Sequence, residues 1–209
     1  MTSNFESFCG GQFWNDSLTI NTANPDFTTC FEHTALVYFP VGYLLVLTPF
    51  LLQSLRRSKA FPLPWTWRLK LKMLSIFVLI LVRIAMLAYI VYLGTQHSIP
   101  ANDYVYSALL LVAIVVLFVL QRRCQRCGLV TSSVLCQTWF LLALLGVAEF
   151  RTQIVQYQSA SGTDNAYFGL YTVYYILVLV VFLLSLFADK PNPATDSDKT
   201  VLEFQLFYI

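Results

Sequence analysis

Arg56–Lys72 reads RRSKAFPLPWTWRLKLK and carries Arg56, Arg57, Lys59, Arg68, Lys70 and Lys72, six of the thirteen Lys and Arg residues in the chain. No Lys or Arg precedes it, and it lies between two long apolar runs, Thr34–Gln53 and Met73–Leu93. A short, strongly basic loop joining two such runs is the kind of segment that the positive-inside rule keeps in the cytosol. Placing this loop inside sets the sidedness of the rest of the chain.

Working outward from the loop, three further apolar runs follow, at 104–120, 134–150 and 167–187. The first run, TALVYFPVGYLLVLTPFLLQ, has 20 residues, and at about 1.5 Å per residue it spans about 30 Å, the thickness of the hydrocarbon core. Pro40 and Pro49 each remove a hydrogen bond within it, so a bend or local unwinding is expected there. The fourth run barely reaches the length needed to span, which leaves a re-entrant segment as the alternative. The composition agrees with a membrane protein, with 57% of residues hydrophobic and 11% charged, against about 25% charged in a soluble domain.

The expected fold is therefore an all-α membrane bundle of five transmembrane helices, with the N-terminus outside and the C-terminus cytosolic. Residues 1–33 form an external cap, 34–187 the membrane domain, and 188–209 a cytosolic tail. The cap carries only acidic charges, Glu6, Asp16, Asp26 and Glu32, and has no basic n-region followed by a short apolar core, so it is not read as a cleaved signal peptide. In this topology eleven of the thirteen Lys and Arg residues fall on inner segments. Tyr89, Tyr92, Tyr104, Tyr106, Tyr167 and Tyr171 gather at the outer interface, and Trp65 and Trp67 at the inner one, as aromatic belts do. In WTWRLKLK, Trp65, Trp67, Arg68, Lys70 and Lys72 are expected, with Arg56, Arg57 and Lys59, to contact the inner-leaflet headgroups, at about 1 kcal/mol per cation near anionic lipid.

Cys9 and Cys30 both lie outside, where a disulfide can persist. A loop of that length would stabilise the cap by about 3 kcal/mol; the alternative is two free thiols. Asn15-Asp16-Ser17 forms an N-x-S glycosylation sequon on the same side, a motif that also occurs by chance. Cys124-Gln-Arg-Cys127 offers only two of the four ligands of a structural zinc site, with no histidine nearby, so no metal is expected. Beside Arg122, Arg123 and Arg126, these cysteines are either palmitoylated or plain reduced thiols.

Arg83 sits near the middle of the second run, where a charge must face the bundle interior and find a partner. Glu149 is the only acid within any apolar run. By helix rise Arg83 stands about 15 Å and Glu149 about 22 Å above the inner boundary. A buried ion pair between them would fix packing; the other reading is a polar path for a substrate or ion. The chain has no G-x-x-x-x-G-K-[ST], H-E-x-x-H or G-x-S-x-G motif, hence no catalytic constellation of those kinds and no cofactor of its own. The basic cluster is membrane-tethered and no nucleic-acid module surrounds it, so no nucleic-acid partner is expected.

Residues 24–40, NPDFTTCFEHTALVYFP, resemble the opening of the extra N-terminal membrane domain of long C-subfamily ABC transporters, the multidrug resistance-associated proteins. Their pattern runs close to N-P-D-F-T-x-C-F-x-x-T-x-L-V-x-x-P. It is met by Asn24, Pro25, Asp26, Phe27, Thr28, Cys30, Phe31, Thr34, Leu36, Val37 and Pro40. Phe8-Cys9, the Trp14 neighbourhood, TWFLLALLGVAEFRT and FLLSLFADKPNP extend the likeness over about residues 8–193. The resemblance implies five helices, an external N-terminus, and a role in trafficking, membrane retention and partner contacts at the plasma membrane or an endomembrane. Relatives with a similar domain, the sulfonylurea receptors, use it to bind a potassium channel. It further implies that Cys9 and Cys30 match cysteines that shape the external cap, and that Asn15 lies in a region the family glycosylates, out of register. The transport core that follows in the family exports organic anions and glutathione conjugates using ATP and Mg. This chain's ending, ATDSDKTVLEFQLFYI, departs from the family's linker and is expected to be a truncated or divergent tail. The alternative to an accessory domain is a small stand-alone transporter or channel built on Arg83 and Glu149.

Overall fold

The structure is a computed structural model that describes residues 4–19, 27–57, 62–129, 132–159 and 165–187. Lys59, the side chain of Arg57 and the tail 188–209 lie outside the described residues. The described residues form helices and no strands. A cap contains α1 (Asn4–Cys9) and α2 (Asp16–Thr19). Then come α3 (Thr29–Phe31), a π-helical turn (Glu32–Leu36) and α4 (Val37–Arg57). Four long helices follow, α5 (Trp67–Gln96), α6 (Ala101–Arg126), α7 (Ser133–Ser159) and α8 (Asn165–Leu186). Five stretches are long and apolar enough to cross a membrane, at Thr29–Arg56, Trp67–Gln96, Ala101–Arg126, Ser133–Val155 and Ala166–Leu186.

Local signals set these helix ends. Thr28 and Thr66 cap α3 and α5, each hydroxyl accepting a backbone N–H three residues on, at 3.3 Å. Pro100 precedes α6, where a missing N–H costs nothing. Gly128, with φ 69°, ends α6 in the left-handed conformation that glycine tolerates. Within α4 the chain remains helical through Pro40 and Pro49. The widening falls just upstream, in the π-helical turn ending at Leu36, the residue whose carbonyl an N–H at position 40 would have taken.

The helices close a ring in the order α4, α6, α5, α8, α7, with α7 packed back on α4. Each turns one stripe inward. On α5 it is Leu69, Lys72, Met73, Ile76, Leu79, Arg83, Met86 and Ile90, at helical spacing. Opposite stripes are exposed and apolar, such as Leu74, Phe77, Leu81 and Ile84 on α5 or Val112, Val115 and Val119 on α6. Apolar groups on the outside and polar ones within suit an acyl-chain solvent.

Two boundaries differ from the sequence expectation. The first membrane helix begins at Thr29, not at 34, which draws Glu32 and His33 out of the expected cap and into the bundle. The fourth is a full helix to Ser159, so 151–159 continues α7 past the end of the apolar run at 150, and no re-entrant turn occurs. The reason is shared: polar residues just beyond an apolar run lower its hydropathy without breaking its helix, and Thr152 and Glu32 satisfy one another.

The cap is fastened to the first membrane helix by the Cys9–Cys30 disulfide, with the two Cα atoms 5.3 Å apart. Phe31 receives Phe13, Trp14 and Phe27 at centroid distances of 5.5, 5.2 and 5.3 Å. The Thr28 hydroxyl donates to the Phe13 carbonyl. Gly10, at φ 71°, lies so close to Pro100 that a Cβ would come within 2.5 Å of the proline ring. Cys30→Ser is expected to destabilise the cap by about 3 kcal/mol and to expose it to limited proteolysis, while the fragment spanning α4–α8 keeps its protease resistance. Unchanged cleavage of the cap would contradict this.

Candidate functional site

A polar cluster lies inside the cap end of the bundle, built by the π-helical turn and by α5, α6, α7 and α8. The π-helical turn supplies Glu32 and His33, both buried. The first turns of α6 supply Asp103 and Tyr106; α7 supplies Glu149 and Thr152, one turn apart; α5 supplies Arg83. Tyr167, Tyr171 and Tyr174, at i, i+4 and i+7 on one face of α8, close the set.

The contacts connect these groups in sequence. His33 Nδ1 is 2.8 Å from Asp103 Oδ1, and because a carboxylate only accepts, that nitrogen carries the proton and donates. Its Nε2 is 4.0 Å from Glu149 Oε1. The imidazole stacks on Tyr106, with centroids 4.2 Å apart, and the Tyr106 hydroxyl donates to Glu149. Thr152 donates to Glu32 Oε1 at 2.7 Å, joining α7 to the turn that leads from the cap.

Arg83 is 0% exposed. Its guanidinium lies 5.2 Å from the Tyr106 ring centroid and 4.8 Å from that of Tyr174, and Nη1 donates to Met86 Sδ at 3.5 Å. Nε and Nη2 make no hydrogen bond. The expected direct ion pair with Glu149 is therefore corrected. Among the described residues Glu149 meets His33 and Tyr106, and the same Tyr106 ring lies against the Arg83 guanidinium. The two charges differ in depth by about one helical turn, and Tyr106 fills that interval. Facing a cation with aromatic π clouds, with a carboxylate one ring further on, keeps an Arg inside a membrane without a hydrogen-bonded partner.

No group of His, Cys, Asp or Glu among the described residues has the geometry to hold a metal. The cluster's contacts join the turn below the cap to α6 and α7, and α5 to α6 and α8. His33→Phe keeps the stack on Tyr106 but removes both polar contacts. A loss of about 2 kcal/mol is expected, read as a lower temperature at which the purified chain loses its monodisperse peak. An unshifted temperature would show that His33 is not part of the tie. Sequence reasoning placed Glu32 only among the cap acids and Tyr106 only in the outer aromatic belt, and it did not pick out His33, Asp103 or Thr152. The signal was there: acids, a histidine and a threonine all fall within about two turns of the same predicted boundary on three helices.

At the opposite end, Arg56, Trp65, Trp67, Arg68 and Lys70 are exposed, Trp67 at 77%. Arg68 lies 5.5 Å over the Phe187 ring. Lys72, expected among these contacts, is corrected. It is buried on the inward stripe of α5, three residues after Leu69, within electrostatic reach of the Cys124 thiol. Helical spacing, not membership of a basic run, decides which way it points. Cys124 is buried, while Cys127 and Cys136 are half-buried. Asn15 lies in the cap, its Oδ1 accepting from the Ser17 N–H at 3.1 Å and the Ser17 hydroxyl at 2.6 Å.

Comparison with known proteins agrees with this architecture. The profile of the ABC transporter TMD0 domain matches residues 7–169. Human ATP-binding cassette sub-family C member 2 is 28% identical over 200 residues, 95% of this chain and 13% of that protein. Human ATP-binding cassette sub-family C member 3 is 29% identical over 87% of this chain and 12% of that protein. Multidrug resistance protein mrp-7 of Caenorhabditis elegans is 30% identical over 92% of this chain and 13% of that protein. The chain thus spans about an eighth of the length of these relatives, and the matched part is the membrane domain, not a nucleotide-binding domain. With five apolar helices, a disulfide-fastened cap and a profile match over most of its length, this chain is a multi-pass integral membrane protein that belongs to the TMD0 domain family of ABC transporters.

Proposed function

We propose that this chain is the accessory membrane module of a multidrug resistance-associated-type transporter, working through anchoring, trafficking and partner contacts. The observation that carries the reading is the TMD0 match over residues 7–169, in a bundle whose buried charges are consumed in holding helices together. In this reading the acidic cap faces outside or into a lumen, Cys9 and Cys30 pair there, and Asn15 is open to glycosylation. The basic end and residues 188–209 face the cytosol. The partners are the lipid bilayer and either the transport core of a parent transporter or another membrane protein, with no nucleic acid. The parent would export organic anions or glutathione conjugates, using ATP and Mg bound elsewhere than in these residues.

The test is to co-express this chain, tagged, with a C-subfamily transport core supplied as a separate polypeptide. The expected result is co-purification in mild detergent and a larger surface fraction of the core. A core that reaches the surface equally well alone, and that does not co-purify, would overturn the reading.

A further inference from the structure

We propose that the basic end of α6 is a binding site for one anionic phospholipid whose headgroup ends in a phosphomonoester. Phe118, Val119, Arg122, Arg123 and Arg126 line a cavity of about 290 Å³. They form two i, i+4 ridges, Phe118–Arg122–Arg126 and Val119–Arg123, with the groove between them. All three arginines are exposed, and no acid among the described residues forms an ion pair with any of them.

Arginines near a helix C-terminus commonly serve its last carbonyls. Here the backbone already does that. The Cys127 N–H donates to the Arg123 carbonyl at 3.0 Å, the Leu129 N–H to Cys124 at 3.0 Å, and the Leu63 and Gly128 N–H groups to Gln125 at 3.0 and 3.2 Å. The guanidiniums are left to face outward. Arg122 is steadied over Phe118 at 5.8 Å, which fixes its plane beside the groove.

The geometry matches an amphiphile. Val112, Val115 and Val119 continue the groove's line along the exposed face of α6 toward the cap end, giving an acyl chain a track. Three guanidiniums sit where that track meets the headgroup layer. A phosphomonoester carries up to two negative charges and three oxygens, which guanidinium forks bind bidentately; a phosphodiester or carboxylate headgroup offers fewer of each. The apolar track commits the site to a lipid rather than to free phosphate.

The experiment uses the full chain in phosphatidylcholine nanodiscs doped either with phosphatidic acid or with phosphatidylserine at equal net charge. Native mass spectrometry then counts the lipids that stay on the released protein. One phosphatidic acid per chain is expected, retained about tenfold over phosphatidylserine. Arg122→Gln/Arg126→Gln should abolish the preference, and Arg151→Gln, at an exposed cation of α7 in the cap half of the bundle, should leave it intact. Arg122→Lys/Arg126→Lys keeps the charge but loses the forks and should reduce retention several-fold. It decides the matter if the glutamine variant does not give monodisperse protein. Equal retention of the two lipids, or undiminished retention in the lysine variant, overturns the proposal. Displacement by excess inorganic phosphate shows that the site reads free phosphate, and overturns the lipid assignment.

Discussion

Glu149→Leu is expected to destabilise the bundle by about 3–5 kcal/mol, and Arg83→Leu by about 2 kcal/mol. The asymmetry follows from what each change leaves behind. Without Glu149, the Tyr106 hydroxyl loses its acceptor and His33 loses the carboxylate 4.0 Å from its Nε2, and Arg83 stays fully buried as a cation with only rings and a sulfur around it. An Arg has no route to neutrality inside a protein. Without Arg83, Glu149 still has the Tyr106 hydroxyl and His33, and a carboxylate can take up a proton. The double variant should therefore be more stable than Glu149→Leu alone, because removing the stranded cation offsets part of the loss. Glu149→Gln, which keeps an acceptor for Tyr106 but not the charge, should fall between. Heating the purified variants in detergent and following the monodisperse fraction measures all four. Equal losses for the two single variants, with the double variant at their sum, would show that Arg83 and Glu149 do not communicate through Tyr106.

The outline of the fold was legible because it rests on long-range composition. Five apolar runs and a basic loop survive any error of a few residues. The interior was less legible, for reasons that particular residues show. Glu32 and His33 precede the first apolar run and read as loop, yet a helix already capped at Thr28 carries them inward. Lys72 ends a basic run and reads as a headgroup contact, yet it falls on the stripe of Leu69, Met73 and Ile76. Arg83 and Glu149 were identifiable singly, since charges in apolar runs are costly. That a tyrosine from a third helix stands between them depends on which helices adjoin, and α6 lies between α4 and α5 in the ring. Helix adjacency is a tertiary fact with no local signature. The cap disulfide, by contrast, needed only two cysteines on one side of a membrane.

The second large effect concerns Trp139, which is buried at 0% exposure in α7, with Leu135, Leu142 and Ala143 on the same inward stripe. Trp139→Ala is expected to cost about 3 kcal/mol, the low end for a large aromatic. The reason is the solvent. In water the loss combines a transfer term with a cavity term, but a side chain leaving a membrane bundle enters lipid tails, so little transfer energy is at stake and the cavity dominates. Trp139→Phe separates the two contributions further. It leaves a smaller void and also removes the indole N–H, which has no hydrogen-bond partner here. Burying that donor unpaired is itself unfavourable by about 1–3 kcal/mol, so phenylalanine should be nearly neutral even though it is smaller. The same heating assay on Trp139→Ala, Trp139→Phe and the wild-type chain checks this. A phenylalanine variant that loses as much as the alanine variant would mean that the indole N–H is bonded in the membrane, and that hydrogen bonding rather than volume holds α7 at this position.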